Sequence, residues 1–262
     1  SSDAPFWTWF PDGELNTSYN CLDIHIENGN GDRNAIIYDS PVTQTKKTYT
    51  YKELLTKTEK IAGALQKHGV KKGDRILIYM PMIPEAVASM LACARLGAIH
   101  VVVFGGFAPN ELATRINDSR PQIIIAGSCG IEPGKIIEYK PMLDKAIELA
   151  KYKVKKCFIF QREICKANLI DDRDFNFQDV IDNSHSVTPV PVKSNDPLYI
   201  LYTSGTTGDP KGMVRDNGGH AVALKNSMKM VYGLQPGDVF WAASDIGWVV
   251  GHSYIVYAPL LS

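Results

Sequence analysis

Short apolar runs alternate along the chain with stretches in which apolar residues recur at helical spacing. The apolar runs, which are typical of buried strands, are 75–79, 100–103, 123–126 and 157–160. Helical stretches precede or separate them, at about 51–68, 84–96, 109–119 and 141–150. This alternation with short turns predicts an α/β fold whose sheets are mainly parallel, with helices on both faces.

Local signals mark several of these helices. Thr50 and Glu53 have the spacing of a capping box, in which each residue satisfies a backbone N–H of the other. Pro84 suits the first turn of the next helix. Gly69 and Gly97 are placed to end the two helices.

The pattern changes between residues 161 and 197, which contain an acidic cluster and three prolines and predict a connecting segment. The runs that follow predict strands at 198–203, 213–215 and 239–243, and helices at about 219–232 and 250–257. We therefore divide the chain into an N-terminal extension (1–50), a first α/β subdomain (51–185) and the start of a second (186–262).

Composition narrows the function classes. The 262 residues carry 28 basic and 28 acidic side chains with no dense basic patch, which disfavours nucleic-acid binding. The five cysteines form no C-x-x-C pair and indicate reduced intracellular thiols rather than disulfides or a zinc site. No apolar run approaches the roughly 20 residues of a membrane span, and no signal peptide is recognised. Candidate metal ligands do not cluster in the sequence.

The most informative stretch is 202–212, which reads Tyr-Thr-Ser-Gly-Thr-Thr-Gly-Asp-Pro-Lys-Gly and follows an apolar run. Backbone N–H groups, short hydroxyl side chains and one lysine suit the binding of a polyphosphate. The order differs from a Walker loop, because Pro210 precedes Lys211 and Gly212 follows it. The alternative interpretation is an ordinary loop rich in glycine, serine and threonine.

This motif resembles the phosphate loop of the adenylate-forming superfamily, which includes acyl-CoA synthetases, luciferases and peptide-synthetase adenylation domains. Four further stretches, 79–85, 104–108, 244–254 and 257–260, resemble the acetyl-CoA and propionyl-CoA synthetase branch, and most of all its propionate type. The resemblance implies that the chain is an N-terminal portion of such an enzyme's large domain, with the C-terminal part of the enzyme absent and the portion alone inactive.

The implied function is ATP-dependent activation of propionate or acetate to an acyl-adenylate, followed by transfer to CoA. ATP, Mg²⁺ and coenzyme A are the implied cofactors and co-substrates, and only small molecules are expected as partners. The expected compartment is the cytoplasm, or the mitochondrial matrix if a transit peptide has been removed. Two alternatives stay open: another acid–CoA ligase of the superfamily, and a nucleotide-binding module without catalysis.

The resemblance also assigns residues, each with an alternative role in packing or in an ordinary turn. Lys211 is the implied catalytic cation. The implied ATP and phosphate ligands are Thr203, Ser204, Gly205, Thr206, Thr207, Gly208 and Lys211. The implied acyl pocket is Trp248, Val249, Val250 and Gly251. The implied CoA-binding residues are Phe107, Lys135, Ile136, Ile137, Glu138 and Val250. His252 is interpreted as a structural histidine, with positioning near the phosphates or the acyl group as the alternative. Lys135 stands where the family often has arginine; the lysine keeps the positive charge but cannot form a bidentate pair.

Overall fold

The computed structural model describes residues 7–203 and 210–262. The strands are, in chain order, β1 (Glu14–Leu15), β2 (Asn34–Ser40), β3 (Thr45–Thr50), β4 (Arg75–Tyr79), β5 (Ile99–Val102), β6 (Ile123–Gly127), β7 (Cys129–Glu132), β8 (Lys135–Glu138), β9 (Cys157–Phe160), β10 (Asp174–Asn176), β11 (Val192–Lys193), β12 (Pro197–Thr203) and β13 (Lys211–Asp216).

The α-helices are α1 (Thr17–Cys21), α2 (Asp23–Glu27), α3 (Tyr51–Lys67), α4 (Pro84–Arg95), α5 (Pro109–Ser119), α6 (Tyr139–Leu149), α7 (Phe177–Asp182), α8 (Asn217–Met230), α9 (Val249–Gly251) and α10 (Ala258–Leu261). A π-helical segment, His252–Tyr257, joins the last two into one continuous helical stretch.

A seven-stranded sheet forms the centre of the fold, in the order β10-β9-β6-β4-β5-β12-β13. All neighbouring pairs are parallel except the last, in which β12 and β13 are antiparallel. The predicted α/β class with a mainly parallel sheet is confirmed. The sheet contains strands from both predicted subdomains, since Tyr199 of β12 is in register with His100 of β5, and the subdomain boundary stays a prediction.

Alternate residues of the central strands face two separate apolar cores. Ile76 and Ile78 belong to the core that contains the buried faces of α3 and α4, whereas Leu77 and Tyr79 belong to the core of α5 and α6. This two-sided burial explains why the parallel strands are almost uninterrupted apolar runs.

The predicted helix cap and the predicted helix-ending glycines are also confirmed. The Thr50 hydroxyl accepts a hydrogen bond from the Glu53 N–H, and the Glu53 carboxylate accepts one from the Thr50 N–H at 2.8 Å, which completes the capping box of α3. Gly69 and Gly97 follow α3 and α4 with φ of +97° and +65°, a backbone region that glycine adopts without strain.

Two sequence predictions are wrong or incomplete, and one hairpin was not predicted. Residues 239–243 do not form a strand, and the side chains of Val239 and Trp241 are largely exposed. The segment 161–197 is more than a connection, because it supplies β10 at the edge of the sheet. The antiparallel hairpin β7–β8, at residues 129–138, was not predicted from the sequence.

Candidate functional site

The predicted phosphate loop connects the two strands of a β-hairpin. Thr203 ends β12 and Lys211 begins β13, and these two residues are direct partners in the antiparallel register. Both side chains are exposed. Five predicted phosphate ligands, Ser204, Gly205, Thr206, Thr207 and Gly208, lie outside the described residues. The hairpin therefore defines the two ends of the predicted loop, with a hydroxyl on one strand and an ammonium group on the other.

Tyr202, the residue before this loop, is hydrogen-bonded to helix α5. The Tyr202 hydroxyl donates a hydrogen bond of 2.5 Å to the Asp118 carboxylate. Burial and the neighbouring Asp118 raise the pKa of the Tyr202 hydroxyl, so it stays a donor at neutral pH. The guanidinium carbon of Arg115 lies 5.4 Å from the centre of the Tyr202 ring. The end of β12 is thus fixed to α5 through a side chain rather than by strand pairing alone.

Three aromatic rings meet beside this region. The ring centres of Phe104 and Trp248 are 5.9 Å apart, and those of Phe107 and Trp248 are 6.3 Å apart with an edge-to-face geometry. Phe104 and Phe107 are 5.6 Å apart in the same manner. These separations are typical of favourable aromatic pairs. The predicted CoA residue Phe107 is therefore in contact with the predicted acyl-pocket residue Trp248.

The turn that carries Trp248 is closed by two hydrogen bonds to Asp245 and by close backbone packing at Gly251. The Asp245 carboxylate accepts a hydrogen bond of 2.6 Å from the Gly247 N–H, and the Asp245 carbonyl accepts one of 3.0 Å from the Trp248 N–H. A Cβ at Gly251 would stand 1.9 Å from the Asp245 carbonyl oxygen, so no larger residue fits there. Gly251, predicted as a pocket residue, therefore has a backbone-packing role.

The side chains after this turn remain accessible. Trp248 is 44 % exposed, and Val249 and Val250 are each 47 % exposed. They are not core packing within the described structure, which was the alternative to a pocket wall. Burial raises the pKa of the Asp245 carboxyl, while the Gly247 N–H opposes that shift.

The predicted CoA residues Lys135, Ile136, Ile137 and Glu138 make up β8, with Lys135 and Glu138 exposed. The hairpin is anchored by Tyr139, whose ring lies between Gly105 and Gly130. A Cβ would approach the Tyr139 hydroxyl to 2.1 Å at Gly105 and to 2.6 Å at Gly130. Both glycines therefore accommodate Tyr139, and this contact joins the hairpin to the loop of Phe107.

His252 lies in the core rather than at the exposed wall. Its imidazole is fully buried, and its ring centre is 4.7 Å from that of Tyr199 and 5.4 Å from that of His100. Burial lowers the pKa of His252 to about 4. The structural role predicted for this histidine agrees with its position.

Sequence reasoning did not single out Arg115, Asp118 or Tyr139. One signal was present for Arg115, which is a charged residue within the apolar stripe formed by Leu112, Ala113 and Ile116. Its side chain is only 4 % exposed.

Two cavities of 430 and 1130 Å³ lie elsewhere, one beside α3 and one between α2 and α8. Neither is lined by a predicted site residue that the structure describes. Within residues 7–203 and 210–262, no group of three or more His, Cys, Asp or Glu side chains is arranged to hold a metal ion. Across that same part of the chain, no helix has both the length and the apolar character needed to cross a membrane.

Most of the chain matches a known protein family. The model of the AMP-binding enzyme family matches residues 25–262. The chain is 55 % identical to the human acyl-CoA synthetase short-chain family member 3, mitochondrial, over 259 residues that cover 98 % of this chain and 38 % of that protein. It is 46 % identical to the propionate–CoA ligase of Escherichia coli K12, of which it covers 42 %. The chain thus spans about 40 % of the length of these relatives.

A solved structure supports the fold. The crystal structure of an acyl-CoA synthetase from Brucella canis superposes with a TM-score of 0.81 at 24 % sequence identity. The match covers 96 % of this chain and 42 % of that one. At this identity the likeness supports the arrangement of helices and strands and carries no statement about substrates.

Proposed function

Because the chain belongs to the AMP-binding enzyme family, we propose that it is part of a short-chain acyl-CoA synthetase that acts on propionate or acetate. The carboxylate attacks the α-phosphorus of ATP, which forms an acyl-adenylate and releases pyrophosphate. The thiol of CoA then attacks the acyl carbon, loses its proton and displaces AMP. The products are acyl-CoA, AMP and pyrophosphate.

The observation that carries this proposal is the β12–β13 hairpin with Thr203 and Lys211 in register at the ends of the predicted phosphate loop. During adenylation, negative charge moves onto the departing pyrophosphate. A lysine ammonium and hydroxyl or backbone donors at fixed positions stabilise that charge as it develops. We assign this role to Lys211, with Thr203, Ser204, Gly205, Thr206, Thr207 and Gly208 as the phosphate-binding group.

The exposed wall of Trp248, Val249 and Val250 suits a short apolar tail. Propionate has one methylene more than acetate, and one methylene in an apolar pocket changes specificity by about 1–3 kcal/mol. The valines and the 46 % identity to a propionate–CoA ligase support propionate as the preferred acid. We assign Phe107, Val250 and the β8 residues Lys135, Ile136, Ile137 and Glu138 to CoA.

The described residues supply no cluster for Mg²⁺, so we assign no step to the ion and its involvement stays a prediction. The compartment also stays a proposal. The name of the human relative includes the word mitochondrial, which agrees with the matrix as one of the two predicted compartments.

Acid-dependent exchange of labelled pyrophosphate into ATP tests the function with the full-length protein. Exchange that is greatest with propionate supports both the chemistry and the preferred acid. Exchange that is greatest with acetate keeps the chemistry and rejects the preference. If acetate, propionate and butyrate all fail to promote exchange, the short-chain synthetase is rejected in favour of another acid class or a nucleotide-binding module.

A further inference from the structure

Arg115 is an arginine whose charged group is buried between two aromatic rings of the candidate site. Its guanidinium carbon is 4.5 Å from the centre of the Phe107 ring and 5.4 Å from the centre of the Tyr202 ring. Both distances lie within the range in which a cation is attracted to a ring. The two rings belong to different parts of the site, since Phe107 follows β5 and Tyr202 directly precedes the predicted phosphate loop.

The helix itself holds the guanidinium in place. Its Nη1 donates hydrogen bonds of 2.7 Å to the Glu111 carbonyl and 2.8 Å to the Glu111 carboxylate, one turn earlier in α5. The carboxylate is about half exposed, whereas the arginine side chain is 4 % exposed. An i,i+4 ion pair forms equally well at the surface. The pair with Glu111 therefore does not account for burial of the arginine, which lies on the buried face of α5 with both rings within cation–π distance.

The rings of Tyr202 and Phe107 differ in their contacts with residues other than Arg115. Tyr202 is also tethered by its 2.5 Å hydrogen bond to Asp118. For Phe107, the hydroxyl of Tyr79 donates to the backbone carbonyl at 3.1 Å, which fixes the loop but leaves the ring orientation open. The Phe107 ring also packs against the apolar core of α5 and α6, and it contacts the partly exposed rings of Phe104 and Trp248. Among these contacts, Arg115 is the charged group that lies against the Phe107 ring and is itself held by hydrogen bonds.

We propose that Arg115 is a positioning residue that orients Phe107 for CoA, with a smaller effect on the nucleotide loop through Tyr202. The inference rests on the proposed function, because it assigns Phe107 to the CoA side of that reaction. Lysine is no substitute, since its ammonium lacks the planar group that lies against a ring. The consequence is a split between the two half-reactions, in which thioester formation depends on Arg115 and adenylation does so much less.

The test compares Arg115→Lys with wild type in the full-length protein. We expect the KM for CoA to rise roughly 3- to 30-fold, the range of a desolvated cation–π contact. Acid-dependent pyrophosphate exchange, measured without CoA, should stay within about twofold. Phe107→Leu should raise the KM for CoA similarly, and the double variant should be no worse than the poorer single variant. Additive effects, or equal losses in both half-reactions, would overturn the proposal.

Glu111→Gln is the matched control, because it removes the ion pair and keeps the backbone hydrogen bond and both rings. It should leave the KM for CoA within about twofold; an effect as large as that of Arg115→Lys would reduce Arg115 to a helix-stabilising residue. If Arg115→Lys does not fold, Arg115→Met takes its place in the comparison with Phe107→Leu and Glu111→Gln, and the same outcomes decide the question.

Calorimetric titration of CoA separates this inference from the proposed function. Weakened CoA binding in Arg115→Lys supports the inference even where wild type shows no pyrophosphate exchange, and unchanged CoA binding rejects it.

Discussion

His100 and Tyr257 share a 2.5 Å hydrogen bond in the core, between the imidazole Nε2 and the phenolic oxygen. The pair joins β5 to the π-helical segment behind the Trp248 turn. Two further buried histidines, His220 and His252, surround Tyr199 in the same cluster. Burial lowers the pKa of His100 well below its usual value, and lowers that of His220 to about 3 and that of His252 to about 4.

These three histidines should make the free energy of unfolding depend on pH. In the unfolded chain a histidine binds a proton below about pH 6.5, whereas here each stays neutral to a lower pH. The unfolded state therefore binds more protons, and the free energy of unfolding falls as pH decreases from about 6.5 to 4. Each histidine contributes at most about 1.4 kcal/mol per pH unit. Urea unfolding at several pH values measures the slope.

His220→Gln provides the comparison, because it removes one titrating group and keeps a polar side chain. We expect a shallower slope for the variant between pH 6.5 and 4.5, and a constant difference from wild type between pH 7 and 8. Equal slopes in the acid range would show that His220 does not titrate on unfolding.

The parts of the fold that were predicted correctly depend on local sequence. The capping box of Thr50 and Glu53, the strand before the phosphate loop and the start of α4 at Pro84 are each determined by a few neighbouring residues. Strand β10 was missed because Asp174 is a polar residue at a buried position. Its carboxylate is satisfied by Arg173 and by Lys140, which is far from it in sequence.

The site was predictable only in part for the same physical reason. A phosphate-binding composition is visible in one continuous stretch, so Thr203 and Lys211 could be named. Arg115 acts through rings that lie 8 residues before it and 87 after it, and no local pattern reports such a contact. Residues 239–243 show the opposite failure, since a strand-like sequence forms a strand only where a neighbour pairs with it.

Lys211→Ala should slow adenylation more than it weakens acid binding, because the ammonium is proposed to act on phosphate charge that migrates during the reaction. Loss of one charge-stabilising donor in a preorganised site costs a factor of about 10² to 10³ in rate. Pyrophosphate exchange at saturating ATP gives the rate, and its dependence on propionate gives the apparent affinity. Lys225→Ala, on the partly exposed face of α8, is the control. An unaltered exchange rate in Lys211→Ala would remove this residue from the chemistry.

Val249→Ala should shift acid preference towards longer tails. The side chain is about half exposed beside Trp248, so its truncation widens the proposed pocket without opening the core. A methylene in such a pocket is worth about 1–3 kcal/mol, and we expect the ratio of butyrate to propionate exchange to rise by roughly 5- to 160-fold. Val214→Ala, at an exposed position on β13, should leave the ratio unchanged. The pocket assignment fails if both variants behave alike.

Gly105→Ala should destabilise the protein, because the new methyl group would stand 2.1 Å from the Tyr139 hydroxyl and 2.6 Å from its ring. Tyr139 is buried and is also confined by Gly130, so it has little room to move. Overpacking of this kind costs about 1–3 kcal/mol. Gly106→Ala is the matched control, since its methyl group would meet the outer edge of the partly exposed Phe104 ring. In urea unfolding, Gly105→Ala should have a lower free energy of unfolding than Gly106→Ala, and the reverse order would contradict the close packing of Tyr139 between Gly105 and Gly130.

Cys165 should be the cysteine that alkylating reagents modify first, because it is partly exposed and the other four are buried. Its thiol donates a hydrogen bond of 3.7 Å to the Glu138 carboxylate. Burial, the neighbouring Cys129 and Glu138 raise the pKa of the Cys165 thiol, which lowers the fraction present as the reactive thiolate. Alkylation should therefore be slower than that of a small free thiol at pH 7.5 and should accelerate as pH rises.

Glu138→Gln removes the negative charge and should increase the rate of alkylation of Cys165 at pH 7.5, whereas Glu132→Gln, at the other end of the hairpin, should have a smaller effect. Mass spectrometry of the modified peptide identifies the site; equal rates in the two variants would show that Glu138 does not control the thiol.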